Sequence, residues 1–334
     1  VLRISIVRLI CRFQTLGGAT LDPMPRIIID TDPGQDDSVA LLLALAEPER
    51  IDVAGITTVA GNVPLELTTI NALRMVELAR RTDVPVHSGA SRPLLRPLFT
   101  AEHICGSNGI EGAQLPLPTI SAQRTHAVAF IVDTLEAASE RSLTICPLGP
   151  LTNIALAFAQ RPDLSSKVDR IVLMGGARDL GNVTPAAEFN FYVDPHAAAI
   201  VFQLGVPIVM FGLHVTHQAM ATPERVARIA ALGTAVSRAV AGMLGRSRPN
   251  ALERYGALGQ PLHDPCVIAY LLWPELFTGR DCRVEIETAS ETTIGRSTID
   301  WWGSLSEPPN AFVIDRLNPD AMFERLTQSL AALR

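Results

Sequence analysis

"RIIIDTDPGQDDSVALLLALAEPE", residues 26 to 49, sets three consecutive isoleucines against a knot of aspartates and then a long apolar, helix-forming run. The β-branched run reads as a buried strand. Pro33-Gly34 supplies a turn, and Asp36 and Asp37 fall in the first turn of the helix, where the helix dipole favours negative charge. The same strand-then-helix order recurs downstream. "IDVAGITTVAG" (51–61), "VPVHSG" (84–89), "LTICPLG" (143–149), "VDRIVLMGG" (168–176) and "VPIVMFGL" (206–213) read as strands. "LELTTINALRMVELARR" (65–81), "HAVAFIVDTLEAAS" (126–139), "LTNIALAFAQRP" (151–162) and "DPHAAAIVFQLG" (194–205) read as helices between them. This alternation predicts an α/β fold, an open and mostly parallel sheet flanked by helices on both faces. "VEIETAS", "TTIGRSTIDWW" and "NAFVID" read as a small C-terminal antiparallel strand set, closed by the helix "PDAMFERLTQSLAAL". No internal repeat or low-complexity linker interrupts residues 24–334, which read as a single domain.

Composition narrows the class. The chain has 334 residues, 48% of them hydrophobic, which is ample for a large core. A net charge of -6 argues against a nucleic-acid partner, which requires a basic stripe. No apolar run approaches the ~18 residues of a membrane span. The five cysteines are scattered, odd in number and without a CxxC pair, as expected of reduced thiols in the cytoplasm. Residues 1–23 differ from the rest, with Arg3, Arg8 and Arg12 and no acid before Asp22. They read as a disordered extension or as sequence upstream of a true start at Met24; a basic transit peptide is the second reading.

Asp30, Asp32, Asp36 and Asp37 lie within eight residues, and like charges this close repel. Helix capping accounts for one or two of them. A phosphoryl-transfer nucleophile of the haloacid-dehalogenase kind is a second reading, but Gly34 stands where that pattern wants a hydroxyl or branched residue. Lys167 is also the chain's sole lysine, so little fixed positive charge is on offer for a phosphoester. The third reading is a hard divalent cation in an all-oxygen site, with a further acid at Asp264 beside His263.

The chain also resembles the inosine–uridine-preferring nucleoside hydrolases. "DTDPGQDDSVALLLA", "ITTVAGN" (56–62), "CPLGPLTNIA" (146–155), "VLMGGA" (172–177), "GNVTPAAEFNFYVDPHAA" (181–198), "THQA" (216–219) and "HDPCVIAYLL" (263–272) occur in family order and at family-like spacing. The resemblance implies hydrolysis of the N-glycosidic bond of ribonucleosides. It implies a Ca²⁺ ion held by Asp32, Asp37, Asp264 and the backbone carbonyl of Leu148, where some members carry threonine. It assigns Asp32 as general base and His263 as acid toward the leaving base. Asp36, Asn62, Asn182, Glu188 and Asn190 match the ribose-binding positions, and Met174 the apolar contact under the sugar. Asp30 is read as a partner that orients the other aspartates. The family also implies a homodimer or homotetramer. The alternative class is a calcium-dependent nucleoside- or ribose-binding protein without turnover; such a protein is expected to lack Asp32 or His263, and both are here.

Two segments depart from the pattern. "HICGSNGIEG" (103–112) matches a family loop that often reads His-Gly-x-x-Gly, with Cys105 replacing the histidine. Its thiol either assists weakly or fills space. "NALERYGALGQPL" (250–262) offers Tyr255, and alternatively Arg254, as a contact to the base. Its "GxxGxPLHDP" ending is similar to pyrimidine-preferring members, which implies uridine or cytidine as favoured substrates with inosine also accepted. His214 and His217 read as structural or pocket-lining, and Trp301 and Trp302 as packing or interface residues.

Overall fold

The structure is a computed structural model and describes residues 24–245 and 259–333. Strand β1 (Arg26–Thr31) is central and apolar on both sides, because successive side chains in a strand point to opposite faces. Ile27 and Ile29 enter one core cluster and Ile28 the other. The same division runs along β5 (Val168–Met174), where Val172 and Met174 face one cluster and Ile171 and Leu173 the other. It recurs in β6 (Ile208–Phe211), with Val209 and Phe211 opposed to Ile208 and Met210. Strands buried on both faces carry no polar alternation, which is why they read as short unbroken apolar runs.

Beside β1 lie β2 (Asp52–Thr58) and β4 (Leu143–Pro147), both parallel to it. With β3 (Val86–Ser88) the order across this half of the sheet is β3-β2-β1-β4-β5-β6. The chain therefore steps outward from β1 to β3 and then returns to the opposite side of β1. That reversal leaves a crevice beyond the carboxyl ends of β1 and β4, where open α/β sheets hold their ligands. Helix α1 (Gln35–Ala46) leaves β1 through the Pro33-Gly34 turn and is buried along nearly its whole length. It packs on one face with α2 (Leu65–Leu78) and the helices Pro265–Leu272 and Pro319–Ala332. Helices Ala127–Ala137, Thr152–Gln160 and Pro195–Phe202 contribute to the apolar cluster on the other face.

The C-terminal antiparallel strands extend this same sheet. β11 (Ala311–Leu317) runs parallel beside β6, β9 (Phe277–Ile286) antiparallel to β11, and β10 (Ser297–Asp300) antiparallel to β9 at the edge. β9 begins at Phe277, seven residues before the strand expected at Val284; its first half is exposed on one face and therefore polar. Between β6 and the helix at Pro265, a two-stranded ribbon pairs β7 (Met220–Ala221) with β8 (Gln260–Pro261). Two helices there, Pro223–Ala230 and Ala235–Leu244, were not anticipated from the sequence. No helix among the described residues is long and apolar enough to cross a membrane.

At the end of β6, Phe211 stands edge-on to Tyr270 and Phe277, with ring centroids 5.7 and 5.4 Å away. Its ring fills a fully buried site between the sheet and the helix that carries Asp264. Phe211→Ala is expected to cost about 3–5 kcal/mol, through lost burial and an unfilled cavity. Urea unfolding at equilibrium measures this as a lower midpoint.

Candidate active site

The turn after β1 gathers its aspartates by hydrogen bonds. Thr31 Oγ1 donates to Asp37 Oδ1 at 2.6 Å, and the Gly34 N–H donates to Asp37 Oδ2 at 3.0 Å. Asn62, in the loop after β2, ties two of the acids together. Its backbone N–H donates to Asp32 Oδ2 at 2.7 Å, and its Nδ2 donates to Asp37 Oδ2 and to the Asp32 carbonyl, each at 3.1 Å. The Asp32 carboxylate is also hemmed in by two glycines. A Cβ on Gly61 would lie 2.1 Å from Asp32 Oδ2, and one on Gly149 would lie 2.3 Å from Oδ1. Only the absence of side chains at both positions lets the carboxylate sit there.

Asp264 joins from the start of the helix Pro265–Leu272. Asp36, Asp37 and Asp264 can each present one oxygen within 4.8 Å of the others. Asp32 is not one of these three, though its charge is felt by Asp264. Burial, reinforced by the neighbouring carboxylates, pushes Asp32, Asp37 and Asp264 above the usual carboxylate range. Asp36, Asp37 and Asp264 border a cavity of about 230 Å³, whose described lining includes neither Asp32 nor any lysine or arginine. An all-oxygen, desolvated and uncompensated donor set fits a hard divalent cation and does not fit zinc, which prefers nitrogen and sulfur. The Leu148 carbonyl lies beside it after β4, and accepts from Asn190 Nδ2 at 2.7 Å.

Asn62, Leu148, Met174, Asn182, Glu188, Asn190 and His263 all line this cavity. Several of them are fixed by the backbone. Asn182 Oδ1 accepts from the Phe189 N–H at 2.9 Å, and Asn190 Nδ2 also donates to the Met174 carbonyl at 3.1 Å. Glu188 caps the helix Phe189–Val193 and accepts from the N–H groups of Gly176, Asn190 and Phe191. Burial nevertheless raises its carboxyl to about 7. His263 pairs through Nδ1 with Thr216 Oγ1 at 2.8 Å, and its backbone N–H donates to Asp36 Oδ2 at 3.4 Å. Its ring stands edge-on to His217, with centroids 5.6 Å apart.

Other candidates lie apart from the cavity. Asp30 accepts from Thr57 Oγ1 at 2.6 Å and Asn153 Nδ2 at 2.8 Å, and burial pushes it up to about 7. Its backbone carbonyl accepts from the Leu148 N–H at 2.7 Å, so it acts on the site by holding β1 to the loop after β4. His214 is structural: its Nδ1 accepts from the Arg178 N–H while Nε2 donates to the Ile314 carbonyl, and burial lowers it to about 4. Cys105 packs with Val63 and Phe189, and burial raises its thiol to about 12, so it fills space as an un-ionised group. Trp301 is clasped by the Arg178 and Arg280 guanidinium groups, whereas Trp302 is exposed. Arg254 and Tyr255 lie outside the described residues. The sequence reading missed Phe99, Ala101, His103, Ile104, Val183 and Phe189, which complete the cavity lining. His103 and Ile104 lie within the loop 103–112 and Val183 and Phe189 within the motif 181–198, but no residue signal in either singled them out.

The fold is shared with solved nucleoside hydrolases. A purine-preferring ribonucleoside hydrolase from Gardnerella vaginalis superposes with a TM-score of 0.83 at 30% identity, covering 92% of this chain and 98% of that one. The family model described as "Inosine-uridine preferring nucleoside hydrolase" matches residues 27–324, and the chain belongs to that family. It is an N-glycosyl hydrolase acting on ribonucleosides, and the phosphatase reading falls away. Among curated relatives, the pyrimidine-specific ribonucleoside hydrolase RihA of Shewanella oneidensis is 47% identical over 307 residues, spanning 92% of this chain and 96% of its own. An uncharacterised protein of Schizosaccharomyces pombe is 48% identical over 309 residues, spanning 92% and 99%.

Two outcomes are expected. Gly149→Ala places a methyl against Asp32 Oδ1 and should cut kcat by at least about tenfold, since a displacement near 1 Å at a reacting group costs up to about 10²-fold. Ribose release measures this, and circular dichroism should show an unchanged fold. Second, carboxyls raised from about 4 to about 7 favour the folded state when protonated, so their contribution is full below pH ~4 and is lost as pH rises through ~7. The chelated protein should therefore melt at higher temperature at about pH 6 than at about pH 8. An added divalent cation should stabilise it most at the higher pH.

Proposed function

We propose that this chain is a Ca²⁺-dependent ribonucleoside hydrolase favouring uridine and cytidine, with inosine as a slower substrate. The observation that carries the cation is the group of half-buried Asp36 with buried Asp37 and Asp264, which has no lysine or arginine among the described lining residues. Pyrimidine preference is supported by the curated RihA relatives, named pyrimidine-specific, at 46–47% identity. Asp32, Asp37, Asp264 and the Leu148 carbonyl are the proposed ligands. A bound cation would neutralise these acids, orient ribose hydroxyls and make a water beside it easier to deprotonate.

The chain's own groups account for the rest of the reaction. Asp32, held by Asn62 and confined by two glycines, takes a proton from the attacking water. The water oxygen bonds to C1′ as the C1′–N bond breaks, through an oxocarbenium-like transition state. The electron pair leaves with the base, and His263 supplies the proton it needs. Asp36, Asn62, Asn182, Glu188 and Asn190 hold the ribose, above the apolar Met174. The four described cysteines are all buried free thiols, which supports a reducing, cytoplasmic setting. A homodimer or homotetramer remains the proposed assembly, to be read by light scattering.

The test is a panel of uridine, cytidine, inosine and adenosine, with and without chelator. Free ribose is expected from the pyrimidine nucleosides first, and chelation should abolish it until Ca²⁺ is returned. Asp32→Asn should lower kcat by about 10²–10⁴-fold, the usual worth of a general base. Undiminished turnover in chelator, or a purine strongly preferred, would sink the corresponding half of the proposal.

A further inference from the structure

The cavity has two chemically distinct ends. One holds the carboxylates of Asp36, Asp37 and Asp264 with the backbone-fixed polar groups around them. The other is a wall of Phe99, Ala101, Ile104, Val183 and Phe189, continuous with a small apolar cluster that contains Val63 and Cys105. The Phe99 ring centroid lies 6.3 Å from that of Phe189. A nucleoside is divided in the same way, into a sugar rich in hydroxyls and a flat base with apolar faces and a polar edge. A hydroxyl-rich sugar belongs with the acids, which leaves the base to the wall.

Among the described residues of that wall, one side chain can donate or accept a hydrogen bond. It is His103, on the short helix Glu102–Cys105. The turn sends Cys105 into the apolar cluster, while His103 and Ile104 border the cavity and stay exposed. Phe99 meets the His103 ring edge-on, with centroids 6.4 Å apart and an interplanar angle of 71°. The cavity thus has two histidines on separate elements, His263 beside the acids and His103 in the apolar wall.

We propose that His103 contacts the leaving base, bonding to its polar edge and serving, beside His263, as a second donor for the one proton the departing base requires. When C1′–N breaks, both bonding electrons leave with the base and one proton passes to it from the imidazolium. The neutral ring then regains a proton from solvent, which its exposure permits. The inference rests on the ribonucleoside hydrolase reading and adds a catalytic residue to it. It also explains how a loop whose cysteine is buried and un-ionised can still act on the base.

The experiment compares the full-length protein with His103→Ala and His103→Gln on uridine, cytidine, inosine and p-nitrophenyl riboside, whose leaving group departs without a proton. His103→Ala should lower kcat on uridine by about 10–100-fold, in the range of general acid catalysis. Turnover of p-nitrophenyl riboside should stay within about twofold, as should the thermal midpoint's agreement with the parent within about 2 °C for an exposed substitution. His103→Gln, which keeps a donor but no transferable proton, should restore KM for uridine and leave kcat low. An equal fall on uridine and on p-nitrophenyl riboside would mean a merely structural role and overturn the inference, as would unchanged rates on every substrate. If the unaltered protein released ribose from none of these substrates, the hydrolase reading would fall and this inference with it.

Discussion

Like charge held out of water is the constraint around which the molecule is arranged. Asp32, Asp37 and Asp264 are buried almost completely, and Asp36 stands beside them. Thr31, Gly34 and Asn62 donate to these carboxylates, and each such charge-assisted bond offsets part of the desolvation. Hydrogen bonds alone do not remove the mutual repulsion. It is relieved only by protons or by a cation, so the empty fold and the loaded fold differ in how they carry the same four residues. A cluster this unfavourable persists because everything around it is over-determined.

That support comes from the sheet. β1 is buried on both faces and sits between two parallel neighbours, so the turn leaving it has little freedom. Asp30, facing away from the cavity, adds a second lock. It draws Asn153 and Thr57 to one carboxylate oxygen and takes the Leu148 N–H on its backbone carbonyl. The sequence reads Asp30 as a partner that orients the other aspartates; in the sheet it follows Ile28 to the side away from Ile29, so it reaches them through β1 and the loop after β4.

What could be read from the sequence follows the same physics. The strands were legible because burial on both faces leaves short apolar runs, and the acid cluster because crowded carboxylates demand an explanation. Asp264, far along the chain, was recovered through its "HDP" context and the family resemblance; nothing in its spacing from Asp37 implies contact. β9 was truncated in the reading because its outward face is polar and its alternation weak. The wall of Phe99, His103 and Ile104 was missed for a different reason. It comes from the irregular chain between β3 and the helix at Ala127, where no periodicity marks which side chains turn inward. Cys105, the residue that did attract notice there, is the one the turn sends away from the cavity.

This division bears on how one scaffold serves different bases. At the acid end of the cavity, Asn62, Asn182, Glu188 and Asn190 are committed to backbone groups, and moving any of them would disturb the loops they pin. At the apolar end, Phe99, His103 and Ile104 lie on one connection between β3 and the helix at Ala127. Binding groups on surface connections vary more freely than the elements that position them. A relative named pyrimidine-specific and a structural neighbour named purine-preferring can therefore share this fold at 47% and 30% identity to the chain. On the proposed reading, the ribose chemistry is tied to the sheet, and base selection is left to a connection that can change without unfolding it.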